Sequence, residues 1–468
     1  MNERMIRGVS TFFTLLFALL IARQGYVQIV KAPSLAAKPY NPRHALLGAA
    51  RGRIVARDGT VLAATVGEKR GYPMGESMAQ TVGYASGRYG TSGIESAYDR
   101  ALTPPDTTGD VGSQLEDLGA ALAGKTIVSR GADVVTTIDP TIQQALFASL
   151  SRHARGAGVV LDARSGAVLA LVSVPSFDPN SVDQSFGALS TDAASPLLNR
   201  ALSGLYPPGS TFKMFTAAAA LDSGTVTMQS TFEDPGYLAV GNFVLHDDES
   251  EATGYQDLTG AFALSSNVDF GKIALKMGAD TFYTYLDRWG IGGSLDFQIP
   301  AENGRVPPKS GIFPGELAQM GFGQAALLMT PLQMALIGAT IANGGNEPRP
   351  FIVRNVVRAG IAGSQYTSSA LTTPVSADTA ENVKKMMVAV VRRGTGTIAQ
   401  IPGTVVAGKT GTATTAVGKP HSWFVCFAPA ENPRIVVAVV VEHAGYGAAV
   451  AAPIARNVLI VALQSVRN

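Results

Sequence analysis

Two apolar hairpins stand far apart in the chain: GVVLDARSGAVLALVSV (residues 158–174) and HSWFVCFAPAENPRIVVAVVVEH (residues 421–443). In each hairpin, two runs rich in Val, Ala, Leu, Ile or Phe flank turn residues, which lie at 164–166 and 431–433. Apolar runs of this length between turn signals predict buried strands joined by tight turns. We expect the two distant hairpins to share one sheet.

Helical patterns surround these hairpins. Apolar residues at four-residue steps predict an amphipathic helix from Asp139 to about Arg155. Further helices are expected at residues 210–221, 259–276 and 331–343, with a closing helix from about Pro453. Strands at both ends of one domain with helices inserted between them are typical of an α+β fold.

A smaller region of mixed structure precedes this domain. The run RGRIVARDGTVLAAT (residues 51–65) places strand-like residues on both sides of Asp58-Gly59, which predicts a hairpin. After Thr103 the sequence becomes a connector rich in Pro, Asp and Gly. We expect a small pedestal domain here.

Composition excludes several function classes. The formal net charge is +2, from 37 basic and 35 acidic residues, and no basic run stands out, so nucleic acid is a poor candidate partner. The single cysteine, Cys426, excludes an intramolecular disulfide and a cysteine-based zinc cage. With five His and no H-E-x-x-H spacing, we expect no metal and no cofactor.

The amino terminus is apolar and uncharged from Gly8 to Ala22. This stretch spans only about 22 Å as a helix, short of a hydrocarbon core of about 30 Å. We therefore extend the predicted transmembrane anchor over residues 8–30, with Arg23 snorkelling to the interface and a cytoplasmic tail at residues 1–7. A cleaved signal peptide is the alternative. In both cases the remainder is expected to be exported.

The candidate nucleophile is Ser210, which lies three residues before Lys213 and directly after a Pro-Pro-Gly break that suits the start of a helix. Residues three apart share one helical face. A serine hydroxyl needs an adjacent base, and a lysine serves when burial, another cation or a helix amino end lowers its pKa. Because about one S-x-x-K is expected by chance in a chain of this length, the motif alone is weak.

Two more motifs accompany it. Ser265-Ser266-Asn267 lies in a predicted helix, and Lys409-Thr410-Gly411-Thr412 precedes the terminal hairpin. S-x-x-K, S-x-N and K-T-G in this order form the signature of penicillin-binding proteins and serine β-lactamases. Lys309-Ser310-Gly311 also fits the third motif, but prolines at 307, 308 and 314 exclude a paired strand there.

Beyond these motifs, the chain resembles a class B, monofunctional penicillin-binding protein, a D,D-transpeptidase of peptidoglycan synthesis. The similarity runs from about residue 51 to the terminal strands and includes Arg51-Gly52-Arg53-Ile54, Gly93-Ile94-Glu95, Thr137-Ile138-Asp139, Asn199-Arg200-Ala201, Thr330-Pro331-Leu332-Gln333, Ala342-Asn343-Gly344-Gly345 and Trp423-Phe424. The resemblance implies a pedestal or dimerisation-like domain with its linker at 31–138. It also implies a serine β-lactamase/transpeptidase-like domain at 139–468, in which helices flank an antiparallel sheet beside a helical subdomain.

The resemblance implies catalytic roles for Ser210, Lys213, Ser265 and Lys409. Ser210 would attack the penultimate D-Ala carbonyl of a D-Ala-D-Ala stem, and Lys213, beside the ammonium of Lys409, would take its proton. Ser265 would pass that proton to the leaving amine. A β-lactam mimics the same amide, so Ser210 is expected to be acylated by penicillin.

Substrate-binding roles are implied as well. Asn267 would bond the peptide amide of the substrate, while Lys409, Thr410 and Thr412 would offer a cation and hydroxyls to its terminal carboxylate. Gly411 would leave that strand edge open to the substrate. The backbone N–H groups of Ser210 and Thr412 would form the oxyanion hole. Expected partners are peptidoglycan stem peptides, β-lactams, the membrane and a multi-span glycan polymerase of the elongation or division machinery. The catalytic domain is expected outside the plasma membrane.

Other functions remain open. A D,D-carboxypeptidase would share all three motifs. A class A β-lactamase needs an E-x-x-L-N run, which is missing between Val268 and Gly408. A non-catalytic β-lactam sensor would need a cytoplasmic output domain, for which about seven residues are too few. The acidic stretch HDDESE (residues 246–251) is interpreted as a solvated loop rather than a cation site.

Overall fold

The computed structural model describes residues 3–26, 51–67, 69–104, 130–247, 252–358, 361–363 and 365–466. The strands in these residues are β1 (Ile54–Val55), β2 (Val61–Val66), β3 (Lys69–Gly71), β4 (Ala85–Ser86), β5 (Gly90–Thr91), β6 (Asp133–Thr136), β7 (Gly156–Asp162), β8 (Val168–Val174), β9 (Thr231–Asp234), β10 (Tyr237–Val240), β11 (Phe243–His246), β12 (Gly254–Asp257), β13 (Glu347–Pro348), β14 (Val353–Arg358), β15 (Ile361–Ala362), β16 (Ala370–Thr372), β17 (Ala407–Ala413), β18 (His421–Ala428) and β19 (Ile435–Val441). The helices are α1 (Glu3–Gly25), α2 (Ala79–Val82), α3 (Gly93–Ala97), α4 (Asp99–Leu102), α5 (Pro140–Leu150), α6 (Val182–Thr191), α7 (Arg200–Ser203), α8 (Lys213–Asp222), α9 (Leu258–Leu264), α10 (Asn267–Arg288), α11 (Pro314–Met320), α12 (Pro331–Ala342), α13 (Ala377–Arg393) and α14 (Ala451–Ser465).

The main sheet has five antiparallel strands in the order β17-β18-β19-β7-β8. β19 pairs with β7 from Ile435 opposite Asp162 to Val441 opposite Gly156, so the two distant hairpins share one sheet, as predicted. Every residue of β8, β18 and β19 is buried, because α5 and α14 cover one face and α12 covers the other. Continuous apolar strands are the pattern expected of a sheet buried on both faces. The α+β prediction is confirmed.

One expected helix is broken. The pattern at residues 259–276 predicted a continuous helix, whereas the structure has α9 and α10 with Ser265 between them in the left-handed conformation at φ 66°. Ser266 ends one helix and begins the next: its N–H donates to the Ala261 carbonyl, and its hydroxyl accepts from the Asp269 N–H at 2.9 Å. Serine side chains compete with helical hydrogen bonds in this way, and hydrophobic periodicity does not reveal it.

The pedestal sheet has six strands in the order β15-β14-β6-β1-β2-β3. β1 and β2 form the hairpin predicted around Asp58-Gly59. β14 and β15 come from far later in the chain, after α12, and β14 pairs antiparallel with β6. The domain division at residue 139 stays a prediction, and this sheet joins strands from both sides of it.

A buried ion-pair cluster lies inside the pedestal. Glu95, which is fully buried, accepts from the Arg51 guanidinium at 2.7 Å and from the Arg70 guanidinium at 2.6 Å. Arg51 also bonds Asp99 at 2.7 Å and the Glu95 carbonyl at 2.9 Å. This cluster ties α3 and α4 to the chain ahead of β1, since two guanidinium groups converge on one carboxylate.

Replacing Glu95 by Ala is expected to lower the free energy of unfolding by about 3–5 kcal/mol, because two buried guanidinium groups lose their counterion. Chemical denaturation measures this loss. Glu381→Ala is the matched control, since Glu381 is paired with Lys384 at an exposed helical position and is expected to cost less than about 0.5 kcal/mol. Equal losses in the two variants would contradict the prediction.

The amino-terminal segment forms α1, along which Phe12, Phe17 and Leu19 are each more than half exposed. Within the described residues, no helix reaches the length and apolarity needed to cross a bilayer. Residues 27–30 of the predicted anchor lie outside the described residues.

Candidate active site

A cleft of about 450 Å³ opens between the edge strand β17 and the junction of α9 with α10. All three sequence motifs contribute to its walls. The residues that line it are Ser210, Asp247, Thr253, Leu264, Ser265, Ser266, Thr395, Thr410, Thr412, Tyr446 and Ala448.

Ser210 lies in a 3-10 turn (Gly209–Phe212) that runs directly into α8. Gly209 has φ 54°, and a Cβ there would lie 3.0 Å from the Thr412 carbonyl oxygen, so only glycine permits this close approach to β17. The segment that leads into the turn is held by Trp423, whose indole N–H donates to the Pro207 carbonyl at 3.0 Å. Ser210 is therefore presented, half-buried, at the floor of the cleft.

Lys213 begins α8 and is fully buried. Its ammonium donates to the Ser265 carbonyl, to the Ser265 Oγ at 3.2 Å and to the Asn267 Oδ1 at 2.8 Å. The helical spacing predicted from the first motif thus brings the lysine next to both polar residues of the second.

Lys409 reaches the same hydroxyl from the sheet side. Its Nζ, also fully buried, donates to the Ser265 Oγ at 2.8 Å and to the Thr410 carbonyl at 3.2 Å. Because Ser265 Oγ accepts from two ammonium groups, its own O–H is available to donate elsewhere. The left-handed backbone of Ser265, a sparsely populated conformation for serine, aims the side chain between the two lysines.

The alternative third motif lies elsewhere. Lys309 forms an exposed ion pair with Asp280 at 2.7 Å and does not line the cleft. Within the described residues, no three His, Cys, Asp or Glu side chains are arranged to hold a metal ion.

Sequence reasoning missed several residues of the cleft. The Thr395 hydroxyl shares a 2.5 Å hydrogen bond with the Thr410 hydroxyl, and the side chains of Leu264 and Tyr446 provide partly exposed apolar surface. The interpretation of residues 246–251 as a solvated loop is wrong for Asp247, which is buried against the start of α10, whereas residues 248–251 lie outside the described part of the chain. No signal in the local sequence marks these residues, because each reaches the cleft through tertiary packing alone.

Replacing Trp423 by Phe is expected to cost about 1–3 kcal/mol of unfolding free energy, since the Pro207 carbonyl loses its donor. The acylation rate of Ser210 should also fall, by about three- to tenfold, as the turn loosens. Trp289→Phe is the control, because the buried Trp289 indole N–H makes no hydrogen bond within the described residues. A Trp289 variant that slows acylation as much as Trp423→Phe would contradict this account.

Comparison with known proteins gives matches over nearly the whole chain. A family model described as the penicillin binding protein transpeptidase domain matches residues 156–460, and one described as the penicillin binding protein A dimerisation domain matches residues 51–126. The peptidoglycan D,D-transpeptidase PbpA of Mycobacterium tuberculosis is 34% identical over 98% of this chain and 99% of that protein. The peptidoglycan D,D-transpeptidase MrdA of Haemophilus influenzae is 31% identical over 91% of this chain and 70% of that protein.

Solved structures agree with this assignment. The ceftriaxone acyl-enzyme complex of penicillin-binding protein A from M. tuberculosis has a TM-score of 0.82 at 32% identity, covering 90% of this chain and all of that one. The D,D-transpeptidase domain from Eggerthella lenta has a TM-score of 0.81 at 34% identity, covering 89% of this chain and 99% of that one. With its sheet, its cleft and these similarities taken together, the chain belongs to the penicillin-binding protein transpeptidase family.

Proposed function

We propose that this protein is a peptidoglycan D,D-transpeptidase that cross-links stem peptides through an acyl-enzyme on Ser210. One observation carries the proposal: the ammonium groups of Lys213 and Lys409 both reach the Ser265 hydroxyl, in a cleft that Ser210 also lines. A nucleophile, a base and a proton relay are thereby gathered from three distant parts of the chain.

Acylation begins when neutral Lys213 takes the proton of Ser210 Oγ, which attacks the carbonyl carbon of the penultimate D-Ala. The tetrahedral oxyanion is bonded by the backbone N–H groups of Ser210 and Thr412, each contributing about 3 kcal/mol. Ser265 gives its proton to the leaving amine and is re-protonated from Lys213, the C–N bond breaks, and the terminal D-Ala departs. The two hydrogen bonds that Ser265 receives hold its oxygen in place for this relay.

The other polar groups of the cleft bind the substrate. Asn267 bonds the backbone amide of the stem peptide, while Lys409, Thr410 and Thr412 supply a cation and hydroxyls to the terminal carboxylate. β17 is an edge strand of the main sheet, along which an extended peptide would pair, and Gly411 itself is buried within that strand. In the second half-reaction, an amino group of a neighbouring stem attacks the acyl-enzyme, and the same relay runs in reverse.

The proposal is tested by incubating the full chain with a stem pentapeptide and an amine-bearing acceptor stem. We expect release of D-Ala together with a cross-linked peptide dimer. Formation of tetrapeptide alone would indicate a D,D-carboxypeptidase instead. Rapid turnover of bound penicillin would indicate a β-lactamase, since a transpeptidase acylated by a β-lactam stays blocked.

We further propose that residues 8–30 anchor the protein in the plasma membrane, with the transpeptidase domain on its outer side and a multi-span glycan polymerase as partner. Support comes from the uncharged stretch at 8–22 and from the exposed Phe and Leu side chains of α1. Membrane fractionation of the full chain against a variant lacking residues 1–30 tests the anchor. Equal recovery of both in the soluble fraction would refute it.

A further inference from the structure

Two threonine hydroxyls meet in the wall of the cleft, and the proposed mechanism uses only one of them. The Thr395 Oγ1 lies 2.5 Å from the Thr410 Oγ1, and either oxygen can be the donor in this hydrogen bond. Both residues line the cleft together with Ser210. Because Thr410 is only 6% exposed, the partner of its hydroxyl in the free enzyme is Thr395 rather than bulk water.

Thr395 is itself held in place by backbone contacts. It follows the carboxyl end of α13, where the Gly394 N–H donates to the Val390 carbonyl at 3.0 Å, and its own N–H donates to the Ala263 carbonyl of α9 at 3.2 Å. A Cβ at Gly394 would lie 2.3 Å from that Ala263 oxygen, so only glycine lets α13 approach α9 this closely. Ala263 lies two residues before Ser265. Thr395 therefore joins α9 to β17, with its backbone bonded to the first and its side chain to the second.

The number of hydroxyl protons determines what the threonine pair can donate. Each threonine has one O–H donor, whereas a carboxylate only accepts. One of the two protons is used between the hydroxyls, which leaves one for a ligand. With an anion beside Thr410, the favoured arrangement is a chain in which Thr395 donates to Thr410 and Thr410 donates to the anion. Hydrogen bonds in such a chain polarise one another, and the one that ends on a charged group is the strongest.

From this geometry we propose that Thr395 is a positioning residue that orients the Thr410 hydroxyl toward the terminal carboxylate of the substrate. It acts through Thr410 and makes the enzyme favour ligands with a free carboxylate over their uncharged esters. This role rests on the proposed function, because the anion bound there is the terminal carboxylate of the D-Ala-D-Ala stem or of the β-lactam that mimics it.

The experiment compares acylation by a fluermore fluorescent penicillin and by its methyl ester, for the full-length wild type, Thr395→Val and Thr395→Ser. Valine keeps the shape of threonine and its backbone N–H, but it has no hydroxyl. We expect the free acid to acylate Thr395→Val about three- to tenfold more slowly than the wild type, because the hydrogen bond to the charged group weakens. With the ester, the two rates should agree within about twofold. Thr395→Ser keeps the hydroxyl and should restore the wild-type rate with the free acid.

Thr397→Val is the matched control, since Thr397 is an exposed threonine in the turn after α13 and does not line the cleft. Its rates should equal those of the wild type with both ligands. A second comparison uses the free acid alone: in a Thr410→Val background, adding Thr395→Val should change the rate by less than about twofold, because no Thr410 hydroxyl is left to orient.

Three results would overturn this role for Thr395. They are an equal loss with acid and ester in Thr395→Val, a serine variant as slow as the valine variant, and full additivity of the Thr395 and Thr410 losses. Each would indicate a general packing effect instead of orientation of one hydroxyl. A wild type that penicillin does not acylate would overturn the proposed function. That result is read from the wild type alone, whereas the role of Thr395 is read from the ratio of variant to wild-type rates.

Discussion

Replacing Ser210 by Ala is expected to abolish covalent labelling by a fluorescent penicillin, with a loss of about 10⁴-fold or more in acylation rate. Ser210 lies one helical turn from the buried Lys213, whereas other hydroxyls that line the cleft are engaged elsewhere: Ser265 accepts from two ammonium groups, and the Thr395 and Thr410 hydroxyls bond each other. Ser266 caps α10 by accepting from the Asp269 N–H. Removal of a nucleophile in a serine enzyme leaves only the residual rate supplied by binding and the oxyanion hole. Gel fluorescence after denaturation measures the covalent label.

Lys309→Ala is the control for this experiment, because Lys309-Ser310-Gly311 carries the same third-motif pattern without lining the cleft. Its labelling should equal that of the wild type. Persistent labelling of the Ser210 variant, or loss of labelling in the Lys309 variant, would show that the wrong segments have been assigned to the site.

Replacing Lys213 by Met is expected to slow acylation by about 10³-fold while leaving the protein folded. Methionine keeps the apolar stem that packs in the core but cannot accept the Ser210 proton, and general-base catalysis contributes about 10²–10⁴-fold. Stopped-flow or timed-quench labelling gives the rate, and the thermal midpoint reports folding.

The matched control is Lys272→Met, which changes a lysine on α10 whose ammonium donates to the Glu233 carbonyl rather than to any motif residue. Its acylation rate should stay within about twofold of the wild type, as for most surface changes away from the reacting groups. A Lys213 variant that acylates at nearly the wild-type rate would exclude Lys213 as the base and direct attention to another proton acceptor.

Much of the fold was predictable because its elements are locally coded. The strands of the main sheet are continuous runs of Val, Ala and Phe that only a doubly covered sheet can bury, and α5 begins where Asp139 caps it by accepting from the N–H groups of Thr141 and Ile142. The local sequence did not, however, indicate which strands pair with each other. Nothing near residues 353–358 indicates that β14 pairs with the pedestal strand β6, since strand pairing is chosen between segments far apart in the chain.

The candidate site, too, was predictable in part from the sequence and in part only from the structure. The spacing of Ser210 and Lys213 placed them on one helical turn, and the order of the three motifs indicated the chemistry. The break at Ser265 was not foreseen, because it depends on two serines replacing helical hydrogen bonds at the point where both lysines converge. The burial of Asp247 was not foreseen either, since an acidic run predicts solvent exposure and only tertiary packing brings this carboxyl against the amino end of α10.

The sequence by itself determined which reactive groups the protein carries: a hydroxyl, two lysines and an asparagine in three ordered motifs. It also determined the apolar strands of the domain that contains these motifs. The tertiary structure alone decided that Lys213 and Lys409 share one hydroxyl acceptor, and that the Asp247 carboxyl packs against the start of α10. The physical reason is that a motif is recognised from the types of residues that lie a few positions apart in the sequence. The distances between ionisable groups and their exclusion from water arise only when remote segments pack together.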